Sequence, residues 1–358
     1  APALLRGHGS RGVLIHGATP ARARWLIDAL AAQGCSVLAL PCGSEPTLDI
    51  LNAATAAAKA HRPDWVAALG GGAALDLGKA VAALVPAQGG AMDHLEVVGK
   101  GLPLTAPPLP FIALPTTAGT GAEATKNAVI GLPDHGRKVS LRDDRMFAAL
   151  AFVDPALTDH CPRAVTLASG LDAVTQVIEP YISCKATPYT DAITRPAITS
   201  GLAALARLMQ AEDPAARDAL AWTSLTGGIA LANSGLGVVH GLAGVIGGLT
   251  PAAHGAICGV LLGPSLAMNR SRTTGATSAR IAEICTIIAS TLGGIAEDAP
   301  ETLSRWATAN GLPALTAQGL SPDLHETVAT AAQASSSMKG NPVPLSVADL
   351  IQILRHAN

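Results

Sequence analysis

The segment Asp64-Trp-Val-Ala-Ala-Leu-Gly-Gly-Gly-Ala-Ala-Leu-Asp-Leu-Gly-Lys-Ala-Val-Ala sets the strongest limit on the fold. A short apolar run reads as a buried strand, Gly70 to Gly72 as a turn, and the alanine-rich continuation as a helix. The same grammar recurs along the first half of the chain. Strands are expected at 12–15, 36–40, 65–69 and 111–114, helices at 21–33 and 47–60 and after Gly72, and a last strand within 148–153. Strands alternating with helices require a parallel sheet, hence an α/β domain. Asp154-Pro155 marks its end, because a residue before proline is biased out of helix. From 158 to 358 the pattern is long alanine- and leucine-rich helices, with Pro342-Val-Pro344 preceding a final helix at 346–356. The expected domains are therefore 1–154, α/β, and 155–358, all-α. A length of 358 residues, beyond the usual size of one core, agrees.

Hydrophobic residues make up 49% of the chain and charged residues 14%, enough to fill two cores. Aromatics are only 3%, so alanine, leucine, valine and glycine do the packing. A net charge of -2 offers no field for nucleic acid or an anionic membrane, and neither is expected as a partner. The six cysteines form no Cys-x-x-Cys pair, which argues for reduced thiols in a cytoplasm and against a disulfide framework or a thiolate metal site. Arg6 and His8 lie where a signal peptide would carry its apolar core. Residues 227–268 hold no charged side chain apart from His240 and His254. Asn233, Pro251 and repeated glycines break that stretch, and it reads as buried helices, with no membrane span.

Three segments carry chemistry. Glycines at a strand-to-helix turn let backbone approach a ligand and aim helix-terminal N–H groups at an anion, the physics of a diphosphate site. Residues 108–130 repeat the theme: a strand ends in a loop where Thr116, Thr117 and Thr120 supply hydroxyls and Gly119 and Gly121 relieve the backbone. Finally, His240 and His254 are fourteen apart in an uncharged surrounding, while Asp172 and Gln176 share one face of an upstream helix. Carboxylate plus two imidazoles is an open site for zinc or ferrous iron. The histidines alone fit a polar bridge between helices equally well.

Taken together, Gly-Gly-Gly-x-x-x-Asp-x-x-Lys, Pro-Thr-Thr-x-Gly-Thr-Gly-x-Glu, Gly-Leu-Asp-Ala and His-x13-His-Gly resemble the iron-containing (group III) alcohol dehydrogenase family, which includes glycerol dehydrogenase and maleylacetate reductase. The resemblance runs from the strand near Val13 to Ser-Ser-Met-Lys-Gly-Asn-Pro-Val-Pro-Leu near the end. It implies a dehydroquinate-synthase-like architecture: an N-terminal NAD(P)-binding α/β domain and a C-terminal helical domain. It implies a homodimer and a small carbonyl or alcohol substrate, reduced or oxidised by hydride transfer from or to NAD or NADP. Carried over by position, Gly70, Gly71, Gly72 and Ala73 match the diphosphate loop, Asp76 the acid of the next helix, and Thr116, Thr117 and Thr125 positions lining the cofactor. Lys138 matches a lysine near the ribose or nicotinamide, and Lys79 reads as a surface lysine. Gly17 stands where NAD-specific relatives place an aspartate; with Arg22 and Arg24 downstream, the loop leaves room for a 2'-phosphate.

At the metal, Asp172, His240 and His254 match family ligands that double as catalytic groups, whereas Gln176 stands where many members have histidine. A neutral amide oxygen is a poorer ligand for zinc or iron than imidazole. Gly244 replaces a histidine often assigned to proton relay. The expected activity is a metal-assisted NAD(P)-dependent alcohol dehydrogenase or carbonyl reductase. The alternatives are a metal-independent, maleylacetate-reductase-like enzyme and a non-redox relative of the dehydroquinate-synthase kind.

Overall fold

The computed structural model describes residues 1–358 and divides into two compact units, Ala1–Thr117 with Ala122–Leu157, and Ala118–Gly121 with Thr158–Asn358. In the first unit the order is α1 (Pro2–Arg6), β1 (Arg11–His16), α2 (Arg24–Ala32), β2 (Ser36–Pro41), α3 (Leu48–His61), β3 (Trp65–Gly70), α4 (Gly72–Leu84), α5 (Ala91–His94), β4 (Phe111–Pro115), β5 (Asn127–Leu132), β6 (Arg137–Arg142) and β7 (Leu150–Ala151). Five strands form a parallel sheet in the order β2-β1-β3-β4-β7. Side chains alternate across a strand, and the sheet builds a core on each face. Val13, Ile15, Val66, Ala68 and Ala113 pack with Leu51 of α3 and Leu75 of α4. Leu14, Ala67, Leu69, Ile112 and Leu114 pack with Leu5, Leu26 and Leu30 from α1 and α2.

Three expectations for this unit need correction. The helix expected from 21 opens as a 3-10 turn at Pro20–Ala23, so α2 begins at Arg24. Residues 127–142, not expected as strands, form an antiparallel hairpin, β5 with β6, closed by Gly136 at φ 56°. Lys79 is no surface lysine. Only 1% exposed, it donates to the carbonyls of Ala122 (2.7 Å) and Asn127 (2.9 Å) and to Thr125 Oγ1 (3.0 Å), tying α4 to the start of the hairpin. The cause is α4 itself, which is buried at nearly every position from Ala74 to Leu84 and leaves a lysine no solvent to reach.

The second unit holds nine helices: α6 (Arg163–Ile182), α7 (Pro188–Leu208), α8 (Pro214–Ser234), α9 (Val238–Leu249), α10 (His254–Arg272), α11 (Gly275–Leu292), α12 (Ala299–Ala309), α13 (His325–Gln333) and α14 (Val347–His356). α6 runs through its centre, buried without interruption from Gly170 to Ile182. Leu171, Val174, Val177 and Ile178 pack there with Ile198 and Leu202 of α7, Val239 and Leu242 of α9, and Leu261 and Leu262 of α10. The last helix is capped by Ser346 and Asp349, each accepting the other's backbone N–H. The unit does not begin simply at 155. Ala118–Gly121, the middle of the threonine and glycine loop, belongs to it: Gly119 N–H donates to Ser224 Oγ at 2.8 Å. Gly121, at φ 58°, lies so close to α8 that a Cβ on Gly228 would sit 2.2 Å from its carbonyl oxygen. No single helix is long and apolar enough to cross a membrane, and all six cysteines are free.

Candidate metal centre and nucleotide loops

In the first unit the strand order runs β2-β1 one way and β3-β4 the other, so the switch lies between β1 and β3. Ligands of open α/β sheets bind outside the carboxyl ends of the strands at such a point. Three loops converge there. Thr116 N–H donates to the Gly70 carbonyl (3.0 Å) and Gly17 N–H to the Leu69 carbonyl (3.3 Å), joining the loops after β4 and β1 to the one after β3. A Cβ on Gly70 would meet that of Ala74 at 2.5 Å, and one on Gly71 would meet Thr117 Oγ1 at 3.0 Å. Glycine is thus what lets α4 start tight against the strand. No side chain caps α4, so the N–H groups of its first turn, including Gly72 and Ala73, are left for a ligand.

The other residues assigned to the cofactor are placed as follows. Asp76 Oδ2 accepts the Val129 N–H at 3.0 Å, anchoring β5. The Thr125 hydroxyl is buried against Lys79 Nζ and the Ala122 carbonyl. Lys138, on β6, forms an ion pair with Glu45. Gly17 has nothing within 4 Å of where a Cβ would stand, so an acid there is absent without being sterically excluded. Thr120 belongs to the second unit, and its carbonyl accepts Gln176 Nε2 at 2.6 Å.

The metal candidates lie wholly in the second unit. Asp172 and Glu179 are seven residues apart on α6, two helical turns, and both are buried. Glu179 was not singled out in the sequence, yet it organises the site. Its Oε1 accepts the Val239 N–H at 2.7 Å, capping the first turn of α9, where negative charge is favoured. Its Oε2 lies 2.7 Å from His240 Nδ1, which therefore carries the proton. Nε2 of His240 is left facing Asp172 Oδ1 across 3.3 Å, off hydrogen-bond geometry, and both atoms are buried without a partner. Such a pair costs roughly 1–3 kcal/mol per atom unless something binds between them.

The first turn of α10 delivers the rest. His254 Nε2 is 4.0 Å from Asp172 Oδ1, and its ring centroid is 5.4 Å from that of His240. Cys258, one turn on, places Sγ 3.6 Å from His254 Nε2. All four donor atoms lie within 4.8 Å of one another. A thiol that the cysteine spacing gave no reason to expect here thus joins a group that could hold a metal ion: Asp172, His240, His254 and Cys258. This approach depends on glycine, because a Cβ on Gly255 would lie 2.4 Å from the Ala168 carbonyl and one on Gly259 2.7 Å from Leu171 Cδ1. Gln176 is buried beside the cluster with its amide nitrogen held by Thr120. Gly244 is exposed and supplies no side chain for a relay.

The electrostatics fit a cation. Burial opposes ionisation of Asp172, but His240, His254 and Cys258 outweigh it and hold the carboxyl below its usual range. Burial likewise works against charge on the imidazoles. The Cys258 thiol and Asp172 reverse that, raising His240 well above 6.5 and His254 to about 9. Without an ion the cluster draws protons, which a divalent cation would displace on binding.

Two family models match consecutive parts of the chain: iron-containing alcohol dehydrogenase over residues 1–155, and the C-terminal part of the Fe-containing alcohol dehydrogenase family over 166–358. The chain belongs to the iron-containing alcohol dehydrogenase family. The NAD-dependent methanol dehydrogenase of Bacillus methanolicus is 32% identical over 308 residues, 84% of this chain and 78% of that one. Long-chain-alcohol dehydrogenase 1 of Geobacillus thermodenitrificans is 38% identical over 219 residues, 61% of this chain and 55% of its own length. Among solved structures, a 1,3-propanediol oxidoreductase superposes with a TM-score of 0.89 at 25% identity, covering 100% of this alcohol dehydrogenase and 95% of that chain. The parallel sheet followed by an all-helical region is the dehydroquinate-synthase-like fold of these structures.

Proposed function

We propose that this alcohol dehydrogenase interconverts a small alcohol and its carbonyl compound by hydride transfer to or from NAD or NADP, with a divalent metal held by Asp172, His240 and His254. The observation that carries the metal reading is the pair of unpartnered buried atoms, Asp172 Oδ1 and His240 Nε2, 3.3 Å apart. When bound, the ion supplies Lewis-acid polarisation of the substrate oxygen. The chain's own residues do the rest. Gly70, Gly71, Gly72 and Ala73 present the open start of α4 to a diphosphate, with Thr116 and Thr117 alongside. Glu179 fixes the His240 tautomer so that Nε2 faces Asp172. Glycine at 244 offers no side chain to hold the proton of the alcohol, which would pass to water, a cofactor hydroxyl or another side chain.

Relatives named for methanol and for long-chain alcohols bracket a wide range of substrate size. A homodimer accompanies this reading, with light scattering as its check, and six free thiols suit a reducing cytoplasm. The deciding experiment sets elemental analysis beside turnover, using a panel of aldehydes and a nicotinamide absorbance assay. Activity should fall on exhaustive chelation, return with zinc or ferrous iron, and be lost in Asp172→Ala and His254→Ala. Full turnover of chelated protein, unaffected by Asp172→Ala, would replace this reading with the metal-independent one.

A further inference from the structure

We infer that Cys258 is a direct metal ligand, standing in for Gln176, and that its thiolate makes this a site for zinc over ferrous iron. The inference rests on the metal reading above and adds to it a ligand and a selectivity. Zinc bonds of about 2.0–2.3 Å to nitrogen, oxygen and sulfur, opened to the tetrahedral angle, put neighbouring donor atoms about 3.3–3.6 Å apart. The observed separations are 3.3 Å for His240 Nε2 to Asp172 Oδ1, 3.6 Å for Cys258 Sγ to His254 Nε2, and 4.0 Å for His254 Nε2 to Asp172 Oδ1. The first two match such an edge and the third is longer by about 0.4 Å, so a cation between the four donors would draw His254 and Asp172 slightly together.

The placement of the thiol follows from the helix. Cys258 lies four residues after His254, on the same face of α10, so the two arrive at the cluster together. Its side chain is wholly buried, and Gly255 and Gly259 flank it where α10 closes on α6. Gln176, the fourth ligand expected from the sequence, has its amide nitrogen committed to the Thr120 carbonyl at 2.6 Å.

The chemistry separates the two candidates for the fourth place. A carboxylate and a thiolate together bring two negative charges to a divalent ion, whereas a carboxylate and an amide bring one. Thiolate is also a soft donor that favours zinc over the harder ferrous ion.

The test uses the full chain, stripped with a chelator and reloaded with cobalt(II). The expected result is visible ligand-field bands together with a near-ultraviolet thiolate-to-cobalt charge-transfer band. That band should vanish in Cys258→Ser and persist in Cys184→Ser, which alters an exposed thiol. Zinc affinity should fall in Cys258→Ser by at least the about 10–100-fold that loss of an outer-sphere partner costs. Ligand-field bands without charge transfer, or charge transfer surviving in Cys258→Ser, overturn the role of Cys258 and leave the metal reading standing. No cobalt uptake at all overturns both. Should Cys258→Ser not fold, X-ray absorption at the zinc edge of the unaltered protein decides. One sulfur near 2.3 Å supports the inference, and a shell of nitrogen and oxygen alone refutes it.

Discussion

Replacing Lys79 with methionine should change how stability depends on pH, because the lysine is held in a place that disfavours its charge. Burial is the largest influence; Asp76 and Glu123 pull the other way, and the ammonium pKa falls from 10.5 to about 8. A lysine with a lowered folded pKa binds fewer protons folded than unfolded between those two values, so stability rises with pH across that window. The contribution is fully present above about 10.5 and lost as pH falls through about 8. A shift of about 2.5 units at 1.36 kcal/mol each is about 3 kcal/mol. Lys79→Met keeps the unbranched stem, one atom shorter, and removes the titrating amine. It also leaves the Ala122 and Asn127 carbonyls without their donor, so the offset at any single pH mixes two effects while the difference in slope isolates one.

The assay is urea denaturation at several pH values between 7 and 10.5, followed by tryptophan fluorescence, to which fully buried Trp65 in β3 contributes. The native protein should gain about 3 kcal/mol relative to Lys79→Met across that range. Cys42, pushed up to about 11 by burial, titrates alike in both proteins and cancels. Parallel curves would show that Lys79 keeps an ordinary pKa, its three acceptors fully repaying the lost solvent.

Glu179→Gln should lower metal affinity about 10–100-fold, the usual cost of losing a partner behind a ligand; equilibrium dialysis with zinc reads this, and unchanged affinity would deny Glu179 its positioning role. Gly255→Ala drives a Cβ to 2.4 Å from the Ala168 carbonyl, so both melting temperature and metal content should fall. Gly71→Asp should abolish nicotinamide binding by calorimetry, since an anion would stand against Thr117 and repel the diphosphate. With glycine at 17 in place of an acid, NADPH should serve at least as well as NADH in steady-state kinetics; strong discrimination against NADPH would remove that argument.

The parallel sheet was legible because each strand is a short apolar run bounded by turn residues. The hairpin of β5 and β6 is not: burial alternates along Asn127–Leu132, but Asn-Ala-Val-Ile-Gly-Leu shows little polar–apolar alternation, and the glycine at 136 is its best local signal. Lys79 was misread by type instead of by neighbours, since a lone lysine among alanines, leucines and valines on all sides of a helix has nowhere to go but inward. Asp172, His240 and His254 are legible as candidates by residue type and spacing, and the fold brings them together. Cys258 has no Cys-x-x-Cys partner to mark it, and the informative interval is the single helical turn from His254. The contact of Glu179 with His240 spans 61 residues and has no local grammar.

The segment Ala118–Gly121 has a consequence for biosynthesis. It follows β4 directly, yet its partner Ser224 is 105 residues further along the chain. At about 5–20 residues per second, a ribosome needs about 5–20 s to supply that distance. Throughout that interval the central strands of the parallel sheet are already made, while the Gly119 N–H waits for Ser224. The nascent sheet can therefore close early, but Ala118–Gly121 takes its final form only after α8 has emerged.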